Sequence, residues 1–158
     1  MSDREHLRMS DDEVKTHIDA CYRMQVATVG ADGSPHLVPL AYMWFDGALA
    51  FWTDPGSRKV RNLRRDPRVT CLIETGNGPA DFRAVQICGR AEVIDDPETS
   101  RRAGEALTLR YGGPLDDESR AWVESLVPVR VAVLVHPERV VSWDHRKLAH
   151  VGLGDLGR

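Results

Sequence analysis

Residues 24–53 read MQVATVGADGSPHLVPLAYMWFDGALAFWT, three apolar runs separated by two turn signals. Met24–Val29 alternates with period two and is rich in β-branched residues, the pattern of a half-buried strand. Ala31-Asp32-Gly33-Ser34 is a turn, and a second strand is expected from His36 to about Phe45. Asp46-Gly47 is a two-residue hairpin signal, because both central positions of a type I′ turn need positive φ. It leads into the strand Ala48–Thr53. Turns this short leave no room for the crossover that parallel strands require, so the strands are expected to be antiparallel.

The chain continues Thr53-Asp54-Pro55-Gly56-Ser57-Arg58-Lys59-Val60-Arg61-Asn62-Leu63-Arg64-Arg65-Asp66-Pro67-Arg68. Ser57 reads as an N-cap and Asp66-Pro67 as the stop of a short helix. Six Lys or Arg against one acid give the segment Ser57–Arg68 a local charge of +5, in a chain of net charge −3. At about 100° per residue, Val60 and Leu63 share one face and Arg58, Arg61, Asn62 and Arg65 the opposite one. Ser57, Arg58 and Lys59 sit where free backbone N–H groups and the positive end of the helix dipole favour an anion. The segment therefore reads either as a phosphate site at a strand–helix junction or as a solvated basic helix face.

Outward from this centre, Ser10-Asp11-Asp12-Glu13 is a capping box that starts a helix through about Ala20. Arg68–Thr75 is a strand, and Phe82–Ile94 puts Val85, Ile87, Gly89, Ala91 and Val93 on one side. Asp95-Asp96-Pro97 caps a helix through about Tyr111, ended by Gly112-Gly113. Asp116–Leu126 is a second helical piece. Val129–Val135 is an apolar strand, and a short last strand, Val140–Trp143, follows Pro137-Glu138. The spacing predicts a mainly β fold with helices: a small barrel of six to seven antiparallel strands. One domain spans 1–158, with residues 1–9 and 151–158 as loosely ordered tails.

Several functions are disfavoured. No apolar run approaches the roughly 20 residues of a membrane span. The polar start Met1-Ser2-Asp3-Arg4-Glu5-His6 lacks a secretory apolar segment, so a cytoplasmic location is expected. The mild overall acidity argues against a nucleic-acid partner. Cys21, Cys71 and Cys88 are isolated, and the six His are scattered, so neither a disulfide framework nor a metal is expected. There is no GxSxG and no GxGxxG after the first strand. No catalytic residue is singled out. Trp143-Asp144-His145-Arg146-Lys147-Leu148 gathers an aromatic plane, a carboxylate, an imidazole and two cations. It reads either as the wall of a ligand groove or as a polar turn closing the barrel. Trp44 and Trp52 face the same choice.

Asp32-Gly33-Ser34-Pro35, Phe51-Trp52-Thr53, Ser57-Arg58-Lys59, Leu63, Asp66-Pro67 and Gly89-Arg90-Ala91-Glu92 together resemble the pyridoxamine-5′-phosphate-oxidase-like, FMN-binding split-barrel superfamily. The stretch Asn62–Arg68 and the end Ser142–Leu148 are more similar to its branch that binds the deazaflavin F420. The resemblance implies a split β-barrel and a homodimer, with cofactors in two grooves between subunits. It implies that Ser57, Arg58 and Lys59 hold a cofactor phosphate. Trp52, Thr53 and the second strand around Val38-Pro39-Leu40 would border the ring. Trp143 and Asp144 would complete the groove, from the same or the other subunit. The implied cofactor is F420, with FMN as the alternative. The implied activity is hydride transfer between that cofactor and a small, conjugated substrate. A non-catalytic cofactor carrier and an FMN-dependent pyridoxamine-phosphate-oxidase-like enzyme remain as alternatives. The chain departs from the oxidases where their Arg, Lys and Gln fall at Val38, Met43 and Ala84.

Overall fold

A computed structural model describes residues 5–150. The expected tail residues 1–4 and 151–158 lie outside the described residues. The strands are β1 (Met24–Val29), β2 (Pro35–Leu40), β3 (Met43–Phe45), β4 (Ala48–Thr53), β5 (Arg68–Thr75), β6 (Arg83–Ile94) and β7 (Val131–Asp144). The helices are α1 (Asp11–Ala20), α2 (Arg58–Arg65), α3 (Pro97–Tyr111) and α4 (Asp117–Leu126). One seven-stranded antiparallel sheet runs in the order β2-β1-β5-β6-β7-β4-β3 and curls into a split barrel.

The turns match the expected chemistry. Asp46 (φ 48°) and Gly47 (φ 81°) both take positive φ, as the β3–β4 hairpin demands. The capping box of α1 is complete: the Ser10 hydroxyl accepts from the Glu13 N–H, and the Glu13 carboxylate accepts from the Ser10 N–H. Val85, Ile87, Ala91, Val133 and Val135 turn inward with Val26, Phe51, Cys71 and Ile73 as one apolar core. Ile18 of α1 and Val60 and Leu63 of α2 join this core, so the two helices stopper it. A second cluster lies on the outer side of β4 and β7, where α3 brings Ala103 against Ala50, Ala132 and Leu134.

Three expectations are corrected. The strand expected over His36–Phe45 is two strands, broken at Ala41-Tyr42. Tyr42 is fully buried, its N–H donates to the Tyr111 hydroxyl (3.1 Å), and its carbonyl accepts from that same hydroxyl (2.7 Å). A side chain 69 residues away thus replaces the ladder bonds at that point. The two expected last strands are one, because β7 runs unbroken through Pro137. The register shifts between Cys88 and Gly89, opposite Pro137, and such a bulge accommodates a residue without an N–H. Gly89 is required there, since a Cβ would lie 2.1 Å from the His136 carbonyl oxygen. Finally, residues 5–9 are not frayed. Glu5–Leu7 forms a 3-10 turn, Leu7 and Met9 are buried, and the Met9 N–H donates to Ser142 (3.1 Å).

Among the described residues no helix packs over the outer face of β1 and β5, and on β6 only Ile94, its last residue, meets the α3 cluster. Ala27, Thr70, Leu72, Gln86 and Cys88 there are half-buried, while Leu37 and Val141, paired beside them, are exposed.

Candidate functional site

The turn between β4 and α2 is organised by Asp54. Its carboxylate accepts from the Gly56 N–H (2.7 Å), and its carbonyl accepts from the Ser57 N–H (3.2 Å). Asp54 is thereby occupied with the turn, and α2 has no acid in its first turn. Ser57 has the extended backbone of an N-cap, yet its side chain makes no capping bond. Its hydroxyl oxygen is buried and has no partner. The first N–H groups of a helix have no partner inside the helix, so they remain available here.

The cations of α2 divide into two groups. Arg61 donates to the Gly56 carbonyl. Arg64 pairs with Asp95 (2.5 Å) and reaches the Pro55 carbonyl. Arg65 donates to the Val29 carbonyl (2.5 Å), and Arg68 pairs with Asp66. Arg58 and Lys59 make no hydrogen bond or ion pair among the described residues. Lys59 is half-buried, and burial pushes its pKa down. The nearby Asp54 charge opposes that shift, and Arg130 reinforces it. An ammonium without a carboxylate, an unpartnered buried hydroxyl and a helix start form one donor set suited to a phosphate.

Asn62 is corrected. It does not join the exposed basic face; it is buried, and its amide donates to the Thr28 hydroxyl (3.0 Å). No local signal could have found this, since Thr28 is 34 residues away.

The other expected site residues are dispersed. Thr53 is buried beside the β4–α2 turn. Trp52 alternates to the other side of β4, where its indole N–H donates to Ser100 (2.8 Å). Its ring meets Trp122 edge-on at 6.1 Å and lies against Gly104 of α3. The Trp52 side chain thus lies on the α3 side of β4, away from that of Thr53. On β2, Val38 and Leu40 pair with the inward-facing Val26 and Met24, so only Pro39 turns its side chain outward. β2 pairs with β1 alone and is an edge of the sheet.

Trp143 and Asp144 lie at the far end of the barrel from the β4–α2 turn. Val131, the first residue of β7, pairs with Thr53, whereas Asp144 is the last of its 14 residues. At about 3.3 Å per residue, roughly 40 Å of strand separates the two ends. One protomer does not bring these residues together with Ser57–Lys59. Trp143 pairs with Ala84 on the outer face. Asp144 turns the other way, is buried, and takes the Arg146 guanidinium through both carboxylate oxygens (2.6–3.1 Å). That guanidinium holds the Asp144 carboxyl below the usual carboxylate range. Asp144 and Pro39 line a cleft of about 830 Å³ between α1 and the strand ends.

Comparison with known proteins places this geometry. A curated pyridoxine/pyridoxamine 5′-phosphate oxidase from Pectobacterium atrosepticum is 31% identical over 101 residues, 63% of this chain. The match spans only 40% of that relative's length. The crystal structure of a conserved hypothetical protein, Rv2991 from Mycobacterium tuberculosis, is 38% identical and superposes with a TM-score of 0.88, covering 94% of this chain and 93% of that one. A solved F420 reductase shares the fold at 24% identity and a TM-score of 0.60, covering 80% of this chain and 94% of that one. The profile of the pyridoxamine 5′-phosphate oxidase family matches residues 10–144, so this chain, with its split barrel and its anion-ready strand–helix turn, belongs to that family.

Proposed function

We propose that this protein is a flavin- or deazaflavin-dependent oxidoreductase that holds its cofactor by a phosphate at Ser57, Arg58 and Lys59. The supporting observation is the Ser57 hydroxyl, buried without a partner beside the uncommitted Lys59. The free N–H groups of α2 complete the donor set. When bound, the cofactor supplies the hydride acceptor or donor. The chain's residues bind and orient it. Thr53 and the unpaired edge of β2 are the available ring contacts.

The same reading takes a second copy of the chain to finish the groove. Two features favour this. Among the described residues the outer face of β1, β5 and all but the end of β6 has no helix over it, and Trp143 sits on the same side of the sheet, at the wrong end of its own barrel to meet Ser57. A dimer of about 35 kDa, twice 17.7 kDa, is the expected species in light scattering. A stable monomer at micromolar concentration would remove this part of the reading.

F420 is the preferred cofactor, on the similarity of Asn62–Arg68 and Ser142–Leu148 to the deazaflavin branch. The basic face of α2 does not add to that preference. Arg61, Arg64 and Arg65 are tied to the chain's own carbonyls and to Asp95, so they are not free for a longer anionic tail. The curated oxidase relative favours a second reading, FMN-dependent oxidation of a pyridoxamine-phosphate-like substrate. Side-by-side fluorescence titration with F420, FMN and phosphate-free riboflavin tests both. F420 tighter than FMN is the expected order, with riboflavin at least about tenfold weaker than FMN. Equal binding of riboflavin and FMN would refute the phosphate site.

A further inference from the structure

The cleft beside α1 has its own unsatisfied chemistry. Its volume, about 830 Å³, lies within the range of small-molecule sites. Arg83, the first residue of β6, pairs in register with Asp144. Asp144 nevertheless gives both carboxylate oxygens to Arg146. Arg83 is left without an ion pair among the described residues. Its one side-chain contact is a long bond from Nη2 to the Thr75 hydroxyl (3.4 Å), and its Nε is buried with no partner. Gln25 also lines the cleft, and its Oε1 is buried with no partner. A buried, unpaired guanidinium donor is among the least tolerable of unsatisfied groups, and native proteins rarely keep one without use.

Asp12, Glu13, Glu74 and Asp144 line the cleft with Arg23, Arg83 and Arg146, so Arg83 stands out by its orphaned Nε and not by a surplus of positive charge. Glu13 is held by Lys147 (2.7 Å) and by the Ser10 N–H. Asp12 and Glu74 make no ion pair with any cation among the described residues, and neither does Arg23. His17, on the α1 wall, is kept towards its neutral form by burial. Met9 and Pro39 add apolar surface.

We propose that this cleft binds a small organic acid. Arg83 takes the carboxylate through its free Nε–H. The guanidinium fork matches a carboxylate in shape as well as charge. The Arg146–Asp144 pair keeps Arg83 open by occupying the one acid in register with it. This goes beyond the cofactor reading, because within a protomer the cleft lies at the opposite end of the strands from Ser57 and Lys59.

The test is a titration of the full-length, isotope-labelled protein with 4-hydroxybenzoate, read by NMR at the Arg83 Nε–H. A saturable shift with a Kd of about 1 mM or tighter is expected. Neutral 4-hydroxybenzamide should bind at least about tenfold more weakly, and so should the acid to Arg83→Gln. Lys59→Ala, which tests the cofactor reading, should leave binding of the acid unchanged. The proposal is overturned if the acid does not saturate, if it shifts other signals but not Arg83, or if Arg83→Gln binds like wild type. It is also overturned if inorganic phosphate moves the Arg83 signal as strongly as the acid does. Should Arg83→Gln not fold, Arg83→Lys keeps the charge without the fork, and the wild-type Arg83 signal still decides.

Discussion

At one end of the barrel α2 is tied to β1 by an amide, Asn62 to Thr28 at 3.0 Å. At the other end α1 is tied to β5 by an imidazole, His17 Nε2 to the Ile73 carbonyl at 3.1 Å. Both helices insert apolar side chains into the same core, and both ties are buried. They differ in what proton activity can do to them. An amide does not titrate. The imidazole is held towards its neutral form, because burial penalises its charged form. The ends also differ in how their ligand chemistry is assembled. The proposed phosphate site is one continuous turn, Thr53 to Lys59. The cleft beside α1 is lined from β6, the end of β7 and α1 itself.

The largest expected effect separates the two ends by function. Lys59→Ala should cost about 1.5–3 kcal/mol of cofactor affinity, roughly ten- to a hundredfold, in fluorescence titration. It should leave the thermal midpoint of the cofactor-free protein nearly unchanged, since Lys59 has no partner in the fold. Loss of folding in that variant would instead make the helix start structural.

The next effect probes the amide tie. Asn62→Ala leaves the buried Thr28 hydroxyl without a partner, which should cost about 1–3 kcal/mol in urea unfolding. The loss should be the same at pH 7 and pH 5. A pH-dependent loss would mean that the amide is coupled to a titrating group.

The imidazole tie should behave otherwise. The folded-state pKa of His17 is lowered, so below its unfolded value, about 6.5, the unfolded chain binds more protons. Its contribution is fully present above that pH and is lost as pH falls towards the folded pKa. The slope is at most about 1.4 kcal/mol per pH unit. His17→Gln should reduce the slope between pH 6.5 and 5, measured by urea unfolding. An unchanged slope would show that other groups carry the acid sensitivity.

The smallest effect belongs to the far turn of α2. The Arg64–Asp95 pair is exposed on both sides, so Arg64→Ala should cost under about 1 kcal/mol of stability. Cofactor affinity should change less than about threefold. A loss comparable to that of Lys59→Ala would bring the basic face of α2 back into the cofactor site.

The legible parts of this fold were those encoded by near neighbours. Asp46-Gly47 specifies its own backbone, Ser10–Glu13 caps its own helix, and period-two runs in β1 and β6 declare which side is buried. The strand–helix junction was legible for the same reason, since Ser57, Arg58, Lys59 and the helix start are contiguous. What stayed hidden depends on distant partners. The break at Tyr42 needs Tyr111, the turning away of Trp52 needs Ser100 and Gly104, and the fate of Asn62 needs Thr28.

The sequence by itself therefore determined the antiparallel, mainly β architecture and the anion-ready junction after the fourth strand, because hydrophobic period, turn φ and helix polarity act within a few residues. The tertiary structure alone decided which cations are free, leaving Arg58 and Lys59 open while Arg64 and Arg65 are engaged. It alone decided that Trp143 and Asp144 stand at the far end of the barrel, and that Arg83 is left unpaired beside Asp144. A side chain's charge is written in its codon, but its partner is chosen by the path of the folded backbone, and strands that pair across the sheet set that path over separations no local pattern records.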